Sequence, residues 1–544
     1  MKKLTALLLA LAMIFVMASC GSNGSSTDSN DNDGTSSADT SGSAAPDSGD
    51  STGTGAAPAE LRVGTGNVLG TFLPWSENET CHWGCFLVYD YLFYWTEDGE
   101  TYSDILEDWH YEEDGTTFVM TLKDGVVFSN GDTATGEDLL FSIQNLVDRG
   151  TNAASFYATV DFENSRVEGN TVYLANTSEF GPGIVNMGVV YLLNKDWCEE
   201  TGYDAIDPWI KNPCGSGPYK VVDYVTDSHV TLELRDDYWG DFTNGAKTVT
   251  IRHYADKSAM YMALEGGELD IALNIEESDY SRAVADDNIG VTITHEGDVI
   301  LFVLDATNNE YLADENVRKA IAYGVNWAEV AESARGELAE VATSVLTKVS
   351  QYYEDVGAYE YDFDKAKSYM EAAGYVVDGS TVNFTLHMTT VDQPVKTNAG
   401  TVIQYYLQQL GIDFQTEYTD FPTAIGYWLQ AGGTDTNFQD TDTGSICGEP
   451  YVALNSFAEG LGMLPANVIS DETFNELFKK GTYTTDEATR AEAYKELQEY
   501  VHEHALIMPI YESIDAVAYN PAVVKDVHLL SAVGSNLRFV EFAG

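Results

Sequence analysis

A long stretch without large apolar side chains confines the folded part of this chain to its later residues. Residues 21–58 consist almost entirely of Gly, Ser, Thr, Asp and Ala. Such a segment cannot bury enough apolar surface to offset the entropy lost on ordering, so we expect a disordered tether over residues 20–58. About 485 residues follow it, and a single hydrophobic core stops growing near roughly 250–300 residues. We therefore predict at least two lobes.

The segment before the tether has the pattern of an export signal. Two lysines precede an apolar run over residues 4–18, which is too short to cross a bilayer as a helix. The small residues before Cys20 resemble a bacterial lipobox, although Met17 stands where that pattern usually has Leu or Val. We expect removal of residues 1–19 and a lipid on Cys20 that anchors the protein to the outer side of the membrane. An ordinary secretory signal is the alternative.

The charge of the chain excludes one class of partner. Lys and Arg total 27 against 87 Asp and Glu, which gives a formal net charge of −60. Such a surface repels phosphate backbones, so we expect no nucleic-acid partner. The acidic residues are spread along the chain, as in a solvated surface.

The cysteines leave two interpretations open. Beyond Cys20 the chain has Cys81, Cys85, Cys198, Cys214 and Cys447. An exported location permits disulfides, so Cys198 and Cys214 either close a short loop or remain thiols. The other three either include one disulfide or form, with His82, a site for a soft metal. Their spacing is not a zinc signature, and we predict no metal site.

Periodicity predicts a mixture of strands and helices. The predicted strands are residues 60–64, 117–122, 230–234 and 248–251. The predicted helices are residues 89–95, 137–147, 316–323, 364–373, 401–410 and 487–503. Because the pattern lacks a strict βαβ repetition, it favours an α/β chain with several lobes.

Seven motifs occur in a fixed order. They are residues 117–142 (TFVMTLKDGVVFSNGD and TGEDLLFS), 215–220 (GSGPYK), 235–240 (RDDYWG), 263–272 (ALEGGELDIA), 316–323 (NVRKAIAY), 363–375 (FDKAK and AAGY) and 408–412 (QQLGI). This series resembles the extracellular solute-binding proteins of family 5, the peptide- and nickel-binding receptors of ABC importers. The resemblance spans roughly residues 60–540.

The resemblance implies an α/β fold of the periplasmic-binding-protein type II, in which two lobes close on a cleft and a family-specific domain is added. Lobe I would take residues 60–95, 215–300 and 513–544, domain II residues 96–214, and lobe III residues 301–512. It also implies a monomeric receptor without cofactor, which captures a peptide outside the membrane and delivers it to ABC permease subunits. Hinge closure would seal the ligand between the lobes.

Three regions border the cleft by this analogy: the loop after the first strand, the surroundings of Trp428, and residues 435–451. The ligand-binding residues expected there are Trp75, Glu77, His82, Trp83, Trp428, Asp440, Asp442 and Glu449. In peptide-binding relatives an aspartate of the third region pairs with the N-terminal ammonium of the ligand. The equivalent position falls near Ile446, so Asp440 or Asp442 is the substitute. The alternative is that these acids face solvent or cap turns.

Most of the motif residues also have structural interpretations. Asp138 is placed to satisfy backbone donors at a helix start. Arg318 lies on a helix whose apolar positions face inward, and we expect it to form a structural ion pair.

The chain lacks the common signatures of enzymes. It has no Gly-x-Ser-x-Gly elbow, no His-Glu-x-x-His helix and no phosphate-binding Walker loop. We therefore expect a receptor and not an enzyme. An exported hydrolase with paired carboxylates is the competing class, and a metal complex or a sugar is the alternative ligand, favoured by the aromatic loop near Trp83.

Overall fold

The structure is a computed structural model that describes most of the chain after the tether. The described residues are 57–67, 69–73, 82–95, 101–149, 157, 159–183, 190–203, 206–242, 245–440, 449–461, 464–530 and 534–543, without the side chains of 82, 83, 95, 101, 295, 296, 528–530 and 534–536. The predicted signal, Cys20 and nearly all of the tether lie outside these residues.

Strands form mainly where β-branched and aromatic residues alternate with polar ones. They are β1 (Glu60–Thr65), β2 (Tyr94–Trp95), β3 (Thr101–Tyr102), β4 (Leu106–Tyr111), β5 (Thr117–Leu122), β6 (Arg166–Glu168), β7 (Thr171–Ala175), β8 (Tyr219–Val225), β9 (His229–Leu234), β10 (Thr248–His253), β11 (Ile271–Ala272), β12 (Gly290–Leu304), β13 (Ala339–Val341), β14 (Phe384–Val391), β15 (Ile412–Thr419), β16 (Thr436–Asp440), β17 (Ile507–Tyr519), β18 (Val524–Leu530) and β19 (Gly534–Phe542).

Most helices begin at a side chain that accepts a backbone hydrogen bond, commonly an aspartate. They are α1 (His82–Val88), α2 (Gly136–Asp148), α3 (Lys195–Thr201), α4 (Ile206–Lys211), α5 (Lys257–Glu265), α6 (Glu277–Val284), α7 (Glu315–Gly324), α8 (Trp327–Arg335), α9 (Phe363–Ala372), α10 (Pro394–Gln409), α11 (Phe421–Trp428), α12 (Pro450–Leu454), α13 (Glu472–Thr482) and α14 (Glu487–Glu503).

One large sheet extends through both halves of the described chain. Its order is β15-β14-β16-β12-β17-β11-β1-β10-β9-β8, and β13 pairs with β17. Strand β12 pairs with β16 near Leu304, and β17 pairs with β11 near Tyr519. Between these ends the two long strands pair with each other, with register shifts after His295 and after Ile300. Such irregularities bend a strand locally, so this strand pair is the natural place for a hinge.

The buried apolar residues form separate cores on the two sides of this strand pair. One core includes Leu61, Val249 and Val517 and belongs to the half that contains β1. Another includes Phe302 and Leu386 and belongs to the half that contains β14. Because these two cores are separate, each of them keeps its packing when the connecting strands bend.

A second sheet of four strands, β4-β5-β7-β6, is formed by residues between the first two segments of the large sheet. Helix α2 packs beside it and begins with a capping box, in which Thr135 and Asp138 accept each other's backbone N–H. This region shares a core with the helices that follow β16. The rings of Phe180 and Tyr451 lie 5.2 Å apart, and the N–H of Gly181 donates to the carbonyl of Thr482 at 2.8 Å.

Most predicted elements are confirmed, and one is wrong. All four predicted strands and five of the six helices are present among the described residues, although α10 begins seven residues earlier than expected, with Pro394 in its first turn. The predicted helix over residues 89–95 does not form: α1 ends at Val88, and Tyr94 and Trp95 form β2. A buried run rich in aromatic residues has no period that separates strand from helix.

The sequence motifs serve the packing of the chain, as expected. A Cβ atom at Gly215 would lie 1.9 Å from the carbonyl oxygen of Val88, so the backbones approach too closely for any other residue. The buried guanidinium of Arg235 donates to the carbonyl of Gly217 at 2.9 Å and of Val127 at 3.3 Å. Three motifs therefore meet around one arginine.

Arg318 has a structural role of a different kind from the one predicted. Its guanidinium donates to the carbonyls of Leu312, Ala313 and His504 at 3.0–3.3 Å. The expected ion pair is replaced by backbone contacts, which join α7 to the end of α14. Burial lowers the pKa of this arginine, although the carboxylates of Glu315, Asp471 and Asp314 act in the opposite direction.

Candidate functional site

The registers of the large sheet place the carboxyl ends of two sets of strands toward each other. In one half, β1 runs parallel to β10 and β11, and β11 is antiparallel to β17, with Ala272 opposite Ala518. The direction of β11, continued past its carboxyl end, therefore runs alongside β17 toward residue 512. In open α/β sheets, ligands bind outside the carboxyl ends of the strands.

The other half approaches the same stretch from the opposite direction. Strands β14 and β16 are parallel, and β16 ends at Asp440, opposite Ile300 of β12. Ile300 pairs with Tyr511 of β17. The carboxyl edges of both halves thus face the middle of β12 and β17, and the space between these edges is the candidate ligand-binding cleft.

Two of the three predicted regions follow strands that end at these facing edges. The first follows β1, and the third includes the end of β16. Of the predicted site residues, Trp75, Glu77 and Asp442 lie outside the described residues. His82 and Trp83 begin α1, but their side chains lie outside the described part of the chain. For these five, ligand contact stays a prediction.

Trp428 is held inside the half that contains β14. It ends α11, is 5% exposed, and donates from Nε1 to the carbonyl of Thr389 at 2.9 Å. Thr389 lies near the carboxyl end of β14. The indole therefore supports the edge of the candidate cleft from inside, and direct contact with a ligand remains a prediction.

Asp440 is an accessible acid at this edge. It is the last residue of β16, its side chain is 46% exposed, and Lys396 Nζ lies 3.6 Å from its Oδ2. Lys396 is in the first turn of α10, directly after β14, and its side chain is 12% exposed. A carboxylate and an ammonium thus lie side by side at the carboxyl edge of the sheet. Each of them can pair with an opposite charge on a ligand in place of its present partner.

A chain of side-chain amides fixes the end of β16. Asn437 Nδ2 donates to Asn467 Oδ1 at 2.8 Å, and Asn467 Nδ2 donates to Gln439 Oε1 at 2.9 Å. Gln439 Nε2 in turn donates to the carbonyl of Asp440 at 2.9 Å. This sequence of hydrogen bonds orients the last two residues of the strand against the rest of the lobe.

Glu449 is a buried partner of Arg490. The carboxylate is 0% exposed and accepts from Arg490 Nη2 at 2.6 Å. Arg490 also donates to the carbonyl of Gly481 and to the hydroxyl of Tyr352. The nearby carboxylate raises the pKa of this arginine in spite of its burial. These contacts hold the start of α12 in the interior, whereas the ligand contact predicted for Glu449 stays a prediction.

The cysteine interpretations are partly resolved. Cys198 and Cys214 are buried free thiols, so the alternative in which they close a short loop is not the one seen. Burial raises the pKa of both, to about 11 for Cys214. Cys85 is a buried thiol of α1, and Cys81 and Cys447 lie outside the described residues. In the described part of the chain, no group of three or more His, Cys, Asp and Glu side chains is arranged to hold a metal ion.

Two charged residues near the cleft were missed by sequence reasoning. Lys396 stands in the first turn of a helix that has no acidic residue there, a placement opposed by the helix dipole and therefore visible in the sequence. Glu512 is one of two acids in the otherwise largely apolar run of β17. Burial raises the pKa of Glu512 to about 7.

A separate cavity of about 280 Å³ lies at the opposite end of the β1 half. Its lining includes Leu61, Val249, Phe242 and Arg538. Leu61 and Val249 pair near the amino ends of β1 and β10, so this cavity is remote from the carboxyl edge. Arg538 is fully engaged there, with Asp90 Oδ1 at 2.6 Å.

Among the described residues, no helix combines the length and the apolar character that crossing a bilayer requires.

Known proteins share both the sequence pattern and the fold of this chain. A Brucella ovis protein assigned to ABC-transporter peptide binding is 28% identical over 232 residues, and the match covers 42% of this chain and less than half, 43%, of that protein. The dipeptide-binding protein of Escherichia coli K12 is 23% identical over 455 residues, covering 76% of this chain and 81% of that protein.

The structural similarity extends over nearly the whole chain. The ABC-transporter substrate-binding protein CtaP of Listeria monocytogenes superimposes with a TM-score of 0.77 at 21% identity, covering 90% of this chain and 100% of CtaP. This confirms the expected α/β fold of periplasmic-binding-protein type II with two lobes. Residues 100–460 match the sequence profile of the bacterial extracellular solute-binding proteins, family 5, middle region. The chain belongs to the bacterial extracellular solute-binding proteins of family 5.

Proposed function

We propose that this protein is the receptor of an ABC importer, which captures di- or oligopeptides between its two lobes outside the membrane and delivers them unchanged to permease subunits. The observation that carries the proposal is the pair of facing carboxyl edges on either side of β12 and β17. The peptide-binding names of two relatives support the choice of ligand.

The ion pair of Asp440 and Lys396 suits a ligand that carries both charges. The half-exposed carboxylate of Asp440 is proposed to accept the ligand's ammonium, which would take the place of Lys396 Nζ, now 3.6 Å away. The released lysine is then available to a carboxylate of the same ligand. A peptide with free termini offers both groups, whereas a neutral sugar offers neither.

The lobes are proposed to divide where the long strands lose regular pairing. Lobe I takes residues 60–95, 215–300 and 513–544, and lobe III takes residues 301–512, which puts the boundaries beside the register shifts of β12. Domain II, residues 96–214, contains the separate four-stranded sheet. The receptor is proposed to act as a monomer, anchored through a lipid on Cys20 after removal of residues 1–19.

Peptide titrations test this function directly. A panel of di- to pentapeptides with free amino termini, and the same peptides N-acetylated, is titrated by calorimetry and thermal shift. At 100 times the dissociation constant a ligand stabilises the native state by about 2.7 kcal/mol. Mass spectrometry of the recovered peptide is expected to find it intact, which separates a receptor from a hydrolase.

A matched pair of variants tests the role of Asp440. We expect Asp440→Asn to weaken binding of free-amine peptides at least about tenfold and to leave N-acetylated peptides unaffected. Asp413→Asn is the control, because Asp413 lies near the amino end of β15, at the opposite edge of the same lobe. No response to any peptide at millimolar concentration would reject the peptide proposal, and metal chelates and sugars would then be titrated.

A further inference from the structure

A buried carboxyl lies at the middle of the strand pair that connects the lobes. Glu512 of β17 is 0% exposed. It stands in register with Val299 of β12 on one side and with Glu340 of β13 on the other. The register of β12 shifts immediately before Val299, so Glu512 is located at the irregular part of the pair.

The carboxylate also ties a neighbouring segment to the hinge strand. Its Oε2 accepts the backbone N–H of Lys348 at 3.1 Å. The same segment contributes Val345 and Leu346 to the core shared with α13 and α14. A bend of β17 at Glu512 therefore either breaks this hydrogen bond or moves the attached segment.

The charges around Glu512 come from each element packed against it. Lys348 supplies an ammonium, which is shared with the carboxylate of Glu340 on β13. Burial raises the pKa of the nearby Tyr353 phenol, and Glu512 adds to this effect. Asp298 precedes Val299 on β12, and further along β17 the side chain of Asp515 is 4.0 Å from Arg335. Lys348 favours the ionised form of Glu512 and Glu340 opposes it, and the balance does not offset the desolvation of the buried carboxylate.

We propose that Glu512 is a proton-dependent latch of the hinge. When the Glu512 carboxyl is protonated, the arrangement of β12, β17 and the Lys348 segment seen here is kept. When it is ionised, an arrangement that brings water to the carboxyl is favoured. The inference rests on the proposed function in one respect, since it requires lobes that move about these strands.

The sign of the effect follows from linkage. Burial raises the pKa of Glu512 from 4.5 to about 7 in the present arrangement, against the opposing effect of Lys348 and with a small contribution from Glu340. In a water-exposed arrangement the pKa returns to its ordinary value. The present arrangement is thus favoured at low pH, and this preference is lost as the pH rises toward 7. Between about pH 5.5 and 8.5, the population of the exposed arrangement is expected to increase ~30-fold.

Hydrogen exchange of the ligand-free full chain tests the latch. Mass spectrometry gives protection factors, corrected for the intrinsic exchange rate at each pH, for peptides that cover β12, β17 and residues 342–350. We expect protection of these peptides to fall about thirtyfold between about pH 5.5 and 8.5 in the wild type. Glu512→Gln keeps an acceptor oxygen for Lys348 and is expected to abolish this dependence.

The control and the contrary outcomes are specific. Glu340→Gln removes the half-exposed carboxyl that stands opposite Glu512 and is expected to retain most of the pH dependence. A flat wild-type profile overturns the latch, even if the Glu512 variant fails to fold. So does an equal loss of the pH dependence in both variants. Because no ligand is present, none of these results depends on whether the protein binds peptides.

Discussion

Replacement of Glu449 by alanine is expected to destabilise the ligand-free protein strongly. The substitution leaves the Arg490 guanidinium, 2% exposed, without the carboxylate 2.6 Å away. Breaking a buried ion pair by removing one partner typically costs about 3–5 kcal/mol, because the remaining charge stays desolvated. With an unfolding entropy of about 2.1 cal/mol/K per residue over roughly 480 residues, the loss corresponds to a decrease in Tm of ~3–5 °C.

The measurement is the thermal and urea unfolding of three variants in the absence of ligand. Glu492→Ala is the matched control. Glu492 lies in α14, as Arg490 does, and its side chain is 66% exposed and pairs with Lys480, so we expect its removal to cost less than about 0.5 kcal/mol. The double variant Glu449→Leu/Arg490→Met removes both charges and is expected to recover most of the loss.

The same series separates a structural role of Glu449 from contact with the ligand. If Glu449→Ala has the same Tm and urea midpoint as the control Glu492→Ala but loses peptide affinity, the assignment of this carboxylate to the interior is wrong. If the double variant is no more stable than Glu449→Ala, the cost arises from packing and the electrostatic reasoning fails.

Two further predictions concern buried groups near the cleft and in domain II. Trp428→Phe keeps an aromatic ring but leaves the Thr389 carbonyl without its 2.9 Å donor, and we expect a loss of about 1–3 kcal/mol in urea unfolding; an unchanged midpoint would show that the indole N–H does not matter. Because burial raises the pKa of Cys198 and Cys214, we expect both to resist alkylation at pH 8 until the protein unfolds; rapid labelling of the native protein, followed by mass spectrometry, would contradict this.

The local patterns of the sequence predict the elements well, because they depend on near neighbours. Residues 117–122 and 487–503 form a strand and a helix with the predicted bounds. The failure at residues 89–95 has a tertiary cause. Asp90 of this run is buried against Arg538, a partner 448 positions later. A contact of that separation leaves no periodic signal in the sequence.

The candidate site is less accessible to sequence reasoning than the fold. The resemblance to the family indicates the loops that follow β1 and β16, but it does not reveal which acids are exposed. Asp440 and Glu449 are nine positions apart and have similar chemistry, yet one is half-exposed beside Lys396 and the other is fully buried against Arg490. Each outcome is decided by a cation elsewhere in the chain, on α10 for the first acid and on α14 for the second.

The placement of these acids bears on how a receptor of this design combines stability with motion. The core around Leu61 and the core around Leu386 each lie within one half, so bending of the strand pair need not open either of these two cores. The charged groups that are fully buried at 2.6 Å from their partners, such as Glu449 and Asp90, lie within one side of the strand pair or the other. Glu512 lies on the strand pair itself, where its burial depends on how the strands are bent. A carboxyl in this position makes the energy of bending depend on a proton, whereas a valine there would not.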